Sequence, residues 1–389
     1  MIDIKLIREK PDEIKAALKK RVDDVDFQEL LGWDDRRRAA LQELERLRAR
    51  KNEVSKLIPK MKKEGNDPSN LFAEMKENST ATKSLEEELG SLKLKIQAFM
   101  DGLPNVPDPD VPAGGKEANV VLREWGSKLV TDFKLKDHVE LVTSLGLVDY
   151  ERGVKLGGNG YWLYQGAGAR LEWALLNHFV STHLADGYEL ILPPHILTFA
   201  SGYTAGQFPK FIDDVFRIHS EEGDDEVHFL LPTAETALVN LFRDEIVGED
   251  ELPKKLCAYT PCYRKEAGSY RKNERGMIRG HQFNKVELFQ YTKPEDSPQA
   301  LEELLAKAEK LVQDLGLHYR VSRLAAKDCS ASMAKTLDIE VWIPSMNDYK
   351  EVSSASNARD YQARRGNMRF RRGGEKGTEF LHTLNASGL

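Results

Sequence analysis

Two apolar seams at heptad spacing constrain this chain more than anything else in it. Between Arg36 and Glu64 no glycine interrupts the run, and Pro59 is its one proline. Ala40, Leu44, Leu47, Val54, Ile58 and Met61 recur at alternating steps of four and three, with Lys51 the polar exception. Such a repeat is the a/d seam of a coiled coil. Four turn formers, Gly65-Asn66-Asp67-Pro68, then break the helix. A second seam follows through Leu71, Met75, Asn78, Thr82, Leu85, Leu89, Leu92, Ile96 and Phe99. Two seams joined by a short turn can bury themselves only against each other, so the spacing predicts an antiparallel helical hairpin over about 36–100. At 1.5 Å per residue each arm reaches roughly 42–48 Å. The first arm carries 11 Lys or Arg against 4 Asp or Glu, while 69–100 is nearly balanced. The chain as a whole has net charge −6. A basic nucleic-acid-coating protein is therefore excluded, but a local phosphate contact along the first arm is not. A solvated coiled-coil face reads the same charges equally well.

Residues 1–35 read as a small helical lead-in. The stretch 104–118, with Pro104, Pro107, Pro109, Pro112, Gly114 and Gly115, reads as a linker. The expected domains are 1–103, carrying the arm, and 119–389. In the latter the heptads disappear. Strands are predicted at 188–192, 227–231, 256–263, 282–291, 319–324 and 337–342, and helices at 170–186, 233–247 and 297–315. Hairpin-like pairs without a regular strand–helix alternation predict an α+β domain on an antiparallel sheet. Gly166-Ala167-Gly168 is an isolated G-x-G and reads as a turn. No apolar run is long enough to span a bilayer, and the mixed charge of the N-terminus lacks a secretory core, so a cytoplasmic protein is expected. Cys257, Cys262 and Cys329 have no metal-site spacing and read as buried free thiols; no zinc is expected.

P-loop, dinucleotide and nucleophile-elbow signatures are missing. A different nucleotide device is carried by residues 256–287, LCAYTPCYRKEAGSYRKNERGMIRGHQFNKVE. If the first strand continues through Arg264 and Glu266, both point to one face. A guanidinium suits a phosphate, a carboxylate accepts from an amino group, and Phe283 offers a face for a base. The loop between adds Arg271, Lys272, Arg275 and Arg279. A surface hairpin stitched by ion pairs is the alternative reading of these residues alone.

The words around them decide more. The Arg-x-Glu strand, loop and Phe-bearing return strand resemble motif 2 of class II aminoacyl-tRNA synthetases. LLPTAE (230–235), TPCYRKEAGSY (260–270), RGHQFNKVE (279–287), LDIEVWIP (337–344), SSASNARDYQARR (353–365) and HTLNASGL (382–389) resemble seryl-tRNA synthetases, in order along the whole chain. GYELILPP (187–194) and AGQFPKF (205–211) resemble the motif 1 region. The resemblance implies ATP-dependent attachment of L-serine to tRNA(Ser) through a seryl-adenylate. It implies Arg264 and Arg279 as catalytic residues on the phosphates, and Lys265, Glu266, Phe283, Glu351, Val352, Ser353 and Ser354 as further ATP contacts. It implies Mg²⁺ at Glu351 and Ser354. The serine pocket it implies holds Thr233, Ala234, Glu235, Arg264, Glu287, Asn385 and Ser387. It also implies a homodimer through motif 1, and a tRNA-binding arm whose contacts include Arg46, Arg48, Arg50, Lys56 and Lys60.

Three departures stand out. The chain ends at Leu389, before the arginine that class II motif 3 carries, so either a fragment or a truncated relative is expected. The stretch Lys327–Met333 is poor in glycine, and Lys350 stands where an arginine is usual. A non-catalytic or altered relative that binds tRNA or charges another acceptor is the competing expectation.

Overall fold

The structure, a computed structural model, describes residues 1–218, 227–266 and 276–389. The chain divides into two compact units. One comprises 4–15 and 24–103; the other comprises 1–3, 16–23 and 104–389.

In the smaller unit, helices α1 (Gln28–Lys63) and α2 (Ser69–Gly102) form the hairpin. The first helix starts eight residues earlier than the seam, because the lead-in supplies partners there: buried Asp34 pairs with Arg8 and Arg37 at 2.6 Å. Every apolar seam position is buried or half-buried, and Lys51 is exposed. Asn78, a polar seam residue, donates its amide to the Leu47 carbonyl at 2.9 Å, which removes the penalty of burying it. Trp33 and Phe99 meet edge to face at the root, with ring centroids 6.3 Å apart.

In the larger unit the described residues form an eight-stranded sheet. Its strands are β1 (Val120–Trp125), β2 (Glu189–Ile191), β3 (Lys254–Tyr263), β4 (Gln282–Thr292), β5 (Tyr319–Arg323), β6 (Lys335–Ile343), β7 (Asp348–Arg359) and β8 (His382–Ser387). The spatial order is β1-β5-β6-β7-β8-β4-β3-β2, antiparallel throughout except β2 on β3. This is the α+β arrangement the strand pattern predicts.

Alternation sorts the two faces of the sheet. Leu288 of β4, Leu337, Ile339 and Val341 of β6, Ala355 of β7 and Leu384 and Ala386 of β8 pack on one side against helix α4 (Ser297–Asp314), numbered after α3 (Ala167–Ala185). α4 presents Leu301, Leu304, Leu305, Ala308 and Val312, the stripe a 3.6-residue period produces. Each of these leucines, once buried, contributes about 1.5–3 kcal/mol. Lys285, Glu287, Asp338, Glu340 and Asn385 occupy the alternate positions and so share the opposite, polar face.

Three local expectations need correction. The segment 233–247 is helical only over Glu235–Leu238. It then tightens into successive three-residue turns, and Asp244 at φ 63° reverses the chain into the short strand Ile246–Gly248. Gly166 and Gly168 do not make a free turn. They open helix α3, and a Cβ on Gly168 would lie 2.1 Å from the Leu147 carbonyl oxygen. The proline-rich stretch is packed into the larger unit: the Asn105 amide donates to the carbonyls of Ser332 and Ala358 at 2.9 and 2.8 Å. The cysteines are all buried and free, as their spacing implied. No helix among the described residues is long and apolar enough to cross a membrane.

Candidate active site

The polar face carries the site, and most of its side chains are placed by register. Glu287 pairs with Ser387 across β4–β8, and Phe289 with Asn385 one step along. Residues directly opposite on antiparallel strands point the same way. Glu287 is 0% exposed. Its carboxylate accepts from the Asn385 amide at 3.0 Å and the Thr233 hydroxyl at 3.2 Å, and lies 2.5 Å from the Lys285 ammonium. Ala234 is buried beside Thr233. Glu235 accepts from the Gln362 amide at 2.7 Å. Burial and the neighbouring Glu287 push its carboxyl up to about 7, against the opposing pull of Gln362, Lys285 and Arg264. Five of the seven predicted serine contacts, Thr233, Ala234, Glu235, Glu287 and Asn385, are thus gathered round one pair of carboxylates.

The phosphate side differs from the expectation in one respect. Strand β3 ends at Tyr263, and Glu266 has φ 49°, so Arg264 and Glu266 do not share a strand face. The main-chain pairing persists only as far as Arg264, whose N–H donates to the His281 carbonyl at 2.9 Å. Beyond it the Lys265 N–H turns to the Asp214 carbonyl at 3.2 Å. The reversal instead brings Glu266 to Arg279, which donates from Nε at 2.7 Å. Arg264 donates to the Pro232 carbonyl at 3.2 Å and lies over the Phe283 ring, 5.1 Å from its centroid. The guanidinium and the ring therefore meet in a cation–π contact on the exposed side of the sheet. Arg271, Lys272 and Arg275 lie outside the described residues.

A cavity of about 440 Å³ opens here. Thr233, Arg264, Glu266 and Arg279 line it, together with Gln207, Phe211, Pro232 and Ser330, which the sequence reading did not single out. Gln207 and Phe211 belong to the AGQFPKF word, so a signal for them existed. Ser330 comes from the glycine-poor stretch. Its loop is held by Arg21, which donates to the Ala331 and Met333 carbonyls at 3.2 and 2.9 Å.

Glu351 and Ser354 are three residues apart, and a regular strand would point them to opposite faces. The β6–β7 register slips between Ile339 and Glu340, so Ile339 faces Ser353 while Glu340 faces Glu351. Val352 is the extra residue of a bulge, and the insertion returns Glu351 and Ser354 to the same face. Ser353 points the other way, buried, donating to the Ser387 carbonyl at 2.6 Å. Asp338, opposite Ser354, is raised well above the carboxylate range by burial and by Glu351, although the Ser354 hydroxyl bonds to it. Desolvation also raises Glu351, against Arg264 and Lys116. Mg²⁺ is usually held by one or two carboxylates plus substrate phosphates, and an acid-rich face with Glu351 and Ser354 together fits that donor set. Among the described residues no three His, Cys, Asp or Glu side chains form a metal cage. Lys350 pairs with Asp348 at 3.0 Å.

On the helical hairpin the predicted tRNA contacts fall into two groups. Arg46 pairs with Glu43 at 2.6 Å, Arg48 with Glu86 at 3.0 Å and Arg50 with Glu74 at 2.6 Å. Lys56 and Lys60 are exposed.

Comparison with known proteins places both regions. Residues 1–107 match the seryl-tRNA synthetase N-terminal domain, and residues 216–389 match the tRNA synthetase class II core domain (G, H, P, S and T). The chain is 62% identical to serine–tRNA ligase 2 of Clostridium acetobutylicum, over all of this chain and 92% of that protein. It is 45% identical to the serine–tRNA ligase of Thermodesulfovibrio yellowstonii, again over 100% of this chain and 92% of the relative. Among solved structures it is similar to seryl-tRNA synthetase from Pyrococcus horikoshii complexed with ATP. That match has TM-score 0.92 and 33% identity, covering 100% of this chain and 91% of the other.

Proposed function

This chain belongs to the seryl-tRNA synthetase family and is a serine–tRNA ligase, and we propose how its residues divide that work. The serine carboxylate attacks the α-phosphorus of ATP in line and pyrophosphate leaves. A ribose hydroxyl at the tRNA 3′ end then attacks the carbonyl carbon of the seryl-adenylate, the bond from that carbon to the phosphate oxygen breaks, and AMP leaves with the hydroxyl's proton released. Neither step needs a protein nucleophile, so catalysis is positioning and neutralisation of charge. Arg264 meets the α-phosphate and Arg279 the outer phosphates, the latter exchanging Glu266 for the nucleotide. Lys265 and Glu266 flank the nucleotide, and Phe283 stacks on adenine through the ring face now opposite Arg264. Glu351 and Ser354 would hold Mg²⁺, with Val352 and Ser353 shaping the bulge between them; the ion would supply further neutralisation of the phosphate oxygens. Thr233, Ala234, Glu235, Glu287, Asn385 and Ser387 form the serine pocket.

The observation that carries this reading is the buried Glu287 with its converging donors beside a second carboxylate, Glu235. A pocket built to bond a hydroxyl rejects analogues that lack it, because its own groups would be left unpaired. Serine-dependent ATP–pyrophosphate exchange tests it. Glu287→Gln is expected to lower kcat/KM for serine by about 10²-fold or more while the KM for ATP stays within about twofold. Exchange that is insensitive to that change, or supported equally by alanine, overturns the pocket. Absence of exchange alongside intact tRNA binding would favour the non-catalytic relative.

The hairpin is proposed to bind the long variable arm of tRNA(Ser), reading shape through phosphates and 2′-hydroxyls. A homodimer through the motif 1 region is also proposed, with a narrower set of residues than the sequence implied. Tyr188 and Phe208 are buried within the chain. Leu190, Leu192 and Ile196 remain exposed, Leu192 at 76%, with Trp173 on helix α3. Symmetric burial of such a patch is the commonest oligomeric arrangement. A cytoplasmic location is proposed with it, where tRNA and ATP are at hand.

A further inference from the structure

We propose that Lys285 is a positioning residue for amino-acid specificity: it pairs with Glu287 and aims it, so that Glu287 receives the serine hydroxyl and Glu235 receives the serine ammonium. The inference rests on the serine pocket proposed above and goes beyond it by assigning a role to a residue outside the predicted contacts.

Lys285 and Glu287 are two apart on β4 and so point to the same polar face. The Lys285 ammonium lies 2.5 Å from Glu287 Oε2 and donates to the Thr233 hydroxyl at 2.7 Å. That hydroxyl donates in turn to Glu287 Oε2 at 3.2 Å, and the Asn385 amide covers Oε1 at 3.0 Å. A carboxylate offers about four acceptor sites. Three donors are in place, which leaves one site for a fourth. The Asn385 Oδ1 atom, on the same side, is buried without a hydrogen-bond partner, so the pocket is short of donors rather than of acceptors.

Charge then separates the two ends of the substrate. A buried carboxylate persists as an anion only when it is paired. Lys285 pairs Glu287, and together they are neutral. Glu235 has a neutral partner, the Gln362 amide. Glu235 makes no ion pair among the described residues, which leaves it to take the substrate ammonium. The neutralised but acceptor-rich Glu287 is left for a hydroxyl. With an uncharged side chain at 285, Glu287 Oε2 and the Thr233 hydroxyl lose the ammonium they share, and the carboxylate is no longer aimed at the hydroxyl that distinguishes serine from alanine.

The test is ATP–pyrophosphate exchange with serine and alanine on the full chain. Lys285→Met is expected to raise the serine KM by about tenfold or more and to cut the preference for serine over alanine by a similar factor. The KM for ATP should stay within twofold, which a merely destabilised protein would not preserve. Lys285→Arg, which keeps the charge, should recover most of the preference. If the methionine variant does not fold, Lys285→Gln is read in its place against the same expectations. An unchanged serine KM and unchanged serine-over-alanine preference in the uncharged variant, with Glu287→Gln still collapsing serine use, overturns the role of Lys285 and leaves the pocket standing. Insensitivity of both variants overturns the pocket as well.

Discussion

Charged pairs in the helical hairpin and charged pairs in the catalytic pocket use the same chemistry with opposite consequences. Arg46–Glu43 and Arg48–Glu86 lie in solvent, where each ion pair contributes little. Lys285–Glu287 lies where solvent does not reach the carboxylate, and removing one member strands the other. On the proposed division of work, the hairpin spreads recognition over many weak contacts, whereas the pocket concentrates it in a few. Exposure decides this, not residue type.

The sharpest test of that contrast removes one charge from the site. Arg264→Ala is expected to lower adenylate formation by about 10³-fold or more, the scale on which transition-state charge stabilisers act. Binding of tRNA(Ser) should be nearly unchanged. Equal loss in both assays would break the comparison, since the two regions would no longer act separately.

Next comes removal of the hairpin itself. A short Gly-Ser loop in place of 36–100 should leave serine-dependent exchange within about twofold and reduce charging of tRNA(Ser) by about 10²-fold, the scale of several lost phosphate contacts. The control is a tRNA without its variable arm. An armless and an intact enzyme that prefer full-length tRNA equally would show that the hairpin does not read it.

The pocket also predicts a pH dependence that the hairpin does not. Glu235 is neutral at low pH and is pushed up to about 7 by burial and Glu287, with Lys285, Arg264 and Gln362 acting against the shift. Serine's ammonium needs the ionised form, so the serine KM should rise about tenfold per unit as pH falls below 7, with proton release on binding. Stability has the opposite sign. The contribution of this group is complete below the ordinary glutamate range near 4.5 and is lost as pH rises through about 7 in the ligand-free enzyme. Glu235→Gln should flatten both profiles, which steady-state kinetics and thermal unfolding across pH 5.5–8.5 would check.

The smallest effect lies within the hairpin. Lys56→Ala or Lys60→Ala should lower the slope of log affinity for tRNA against log salt by somewhat under one unit each. Arg46→Ala should change it less, because Arg46 is already held by Glu43. Equal slopes for all three would show that RNA displaces the internal partners freely.

Much of this architecture was legible in the residues. Heptad spacing identifies the hairpin because a helix must hide a repeating stripe whatever lies opposite, and the turn at 65–68 leaves each stripe the other as its partner. The β-rich runs at 337–342 and 282–291 identify strands, although from Val286 to Thr292 the second is buried on both faces. The words around Arg264, Phe283 and Glu287 carry the family, and with it the choice of serine. Local spacing says which side chains share a face of an element only while the element stays regular.

What tertiary structure alone decided follows from that limit. The bulge at Val352, which turns Glu351 and Ser354 to one face, arises from the pairing of β6 with β7 and leaves no mark in the local pattern. The strand ends at Tyr263, short of the continuation the sequence suggests, and the left-handed turn at Glu266 joins that residue to Arg279. Tyr188 and Phe208 stand in the words that resemble motif 1, yet within the chain the Gln290 amide donates to the first and the Phe229 ring packs on the second. By itself the sequence determined the hairpin, the sheet-forming segments and the chemical kind of the site, because each depends on side chains close along the chain. Which carboxylate is paired, and which is left for the substrate ammonium, depends on the loop at 233, the strands at 285 and 385 and the short helix at 362 meeting in one place, and only the folded chain brings them there.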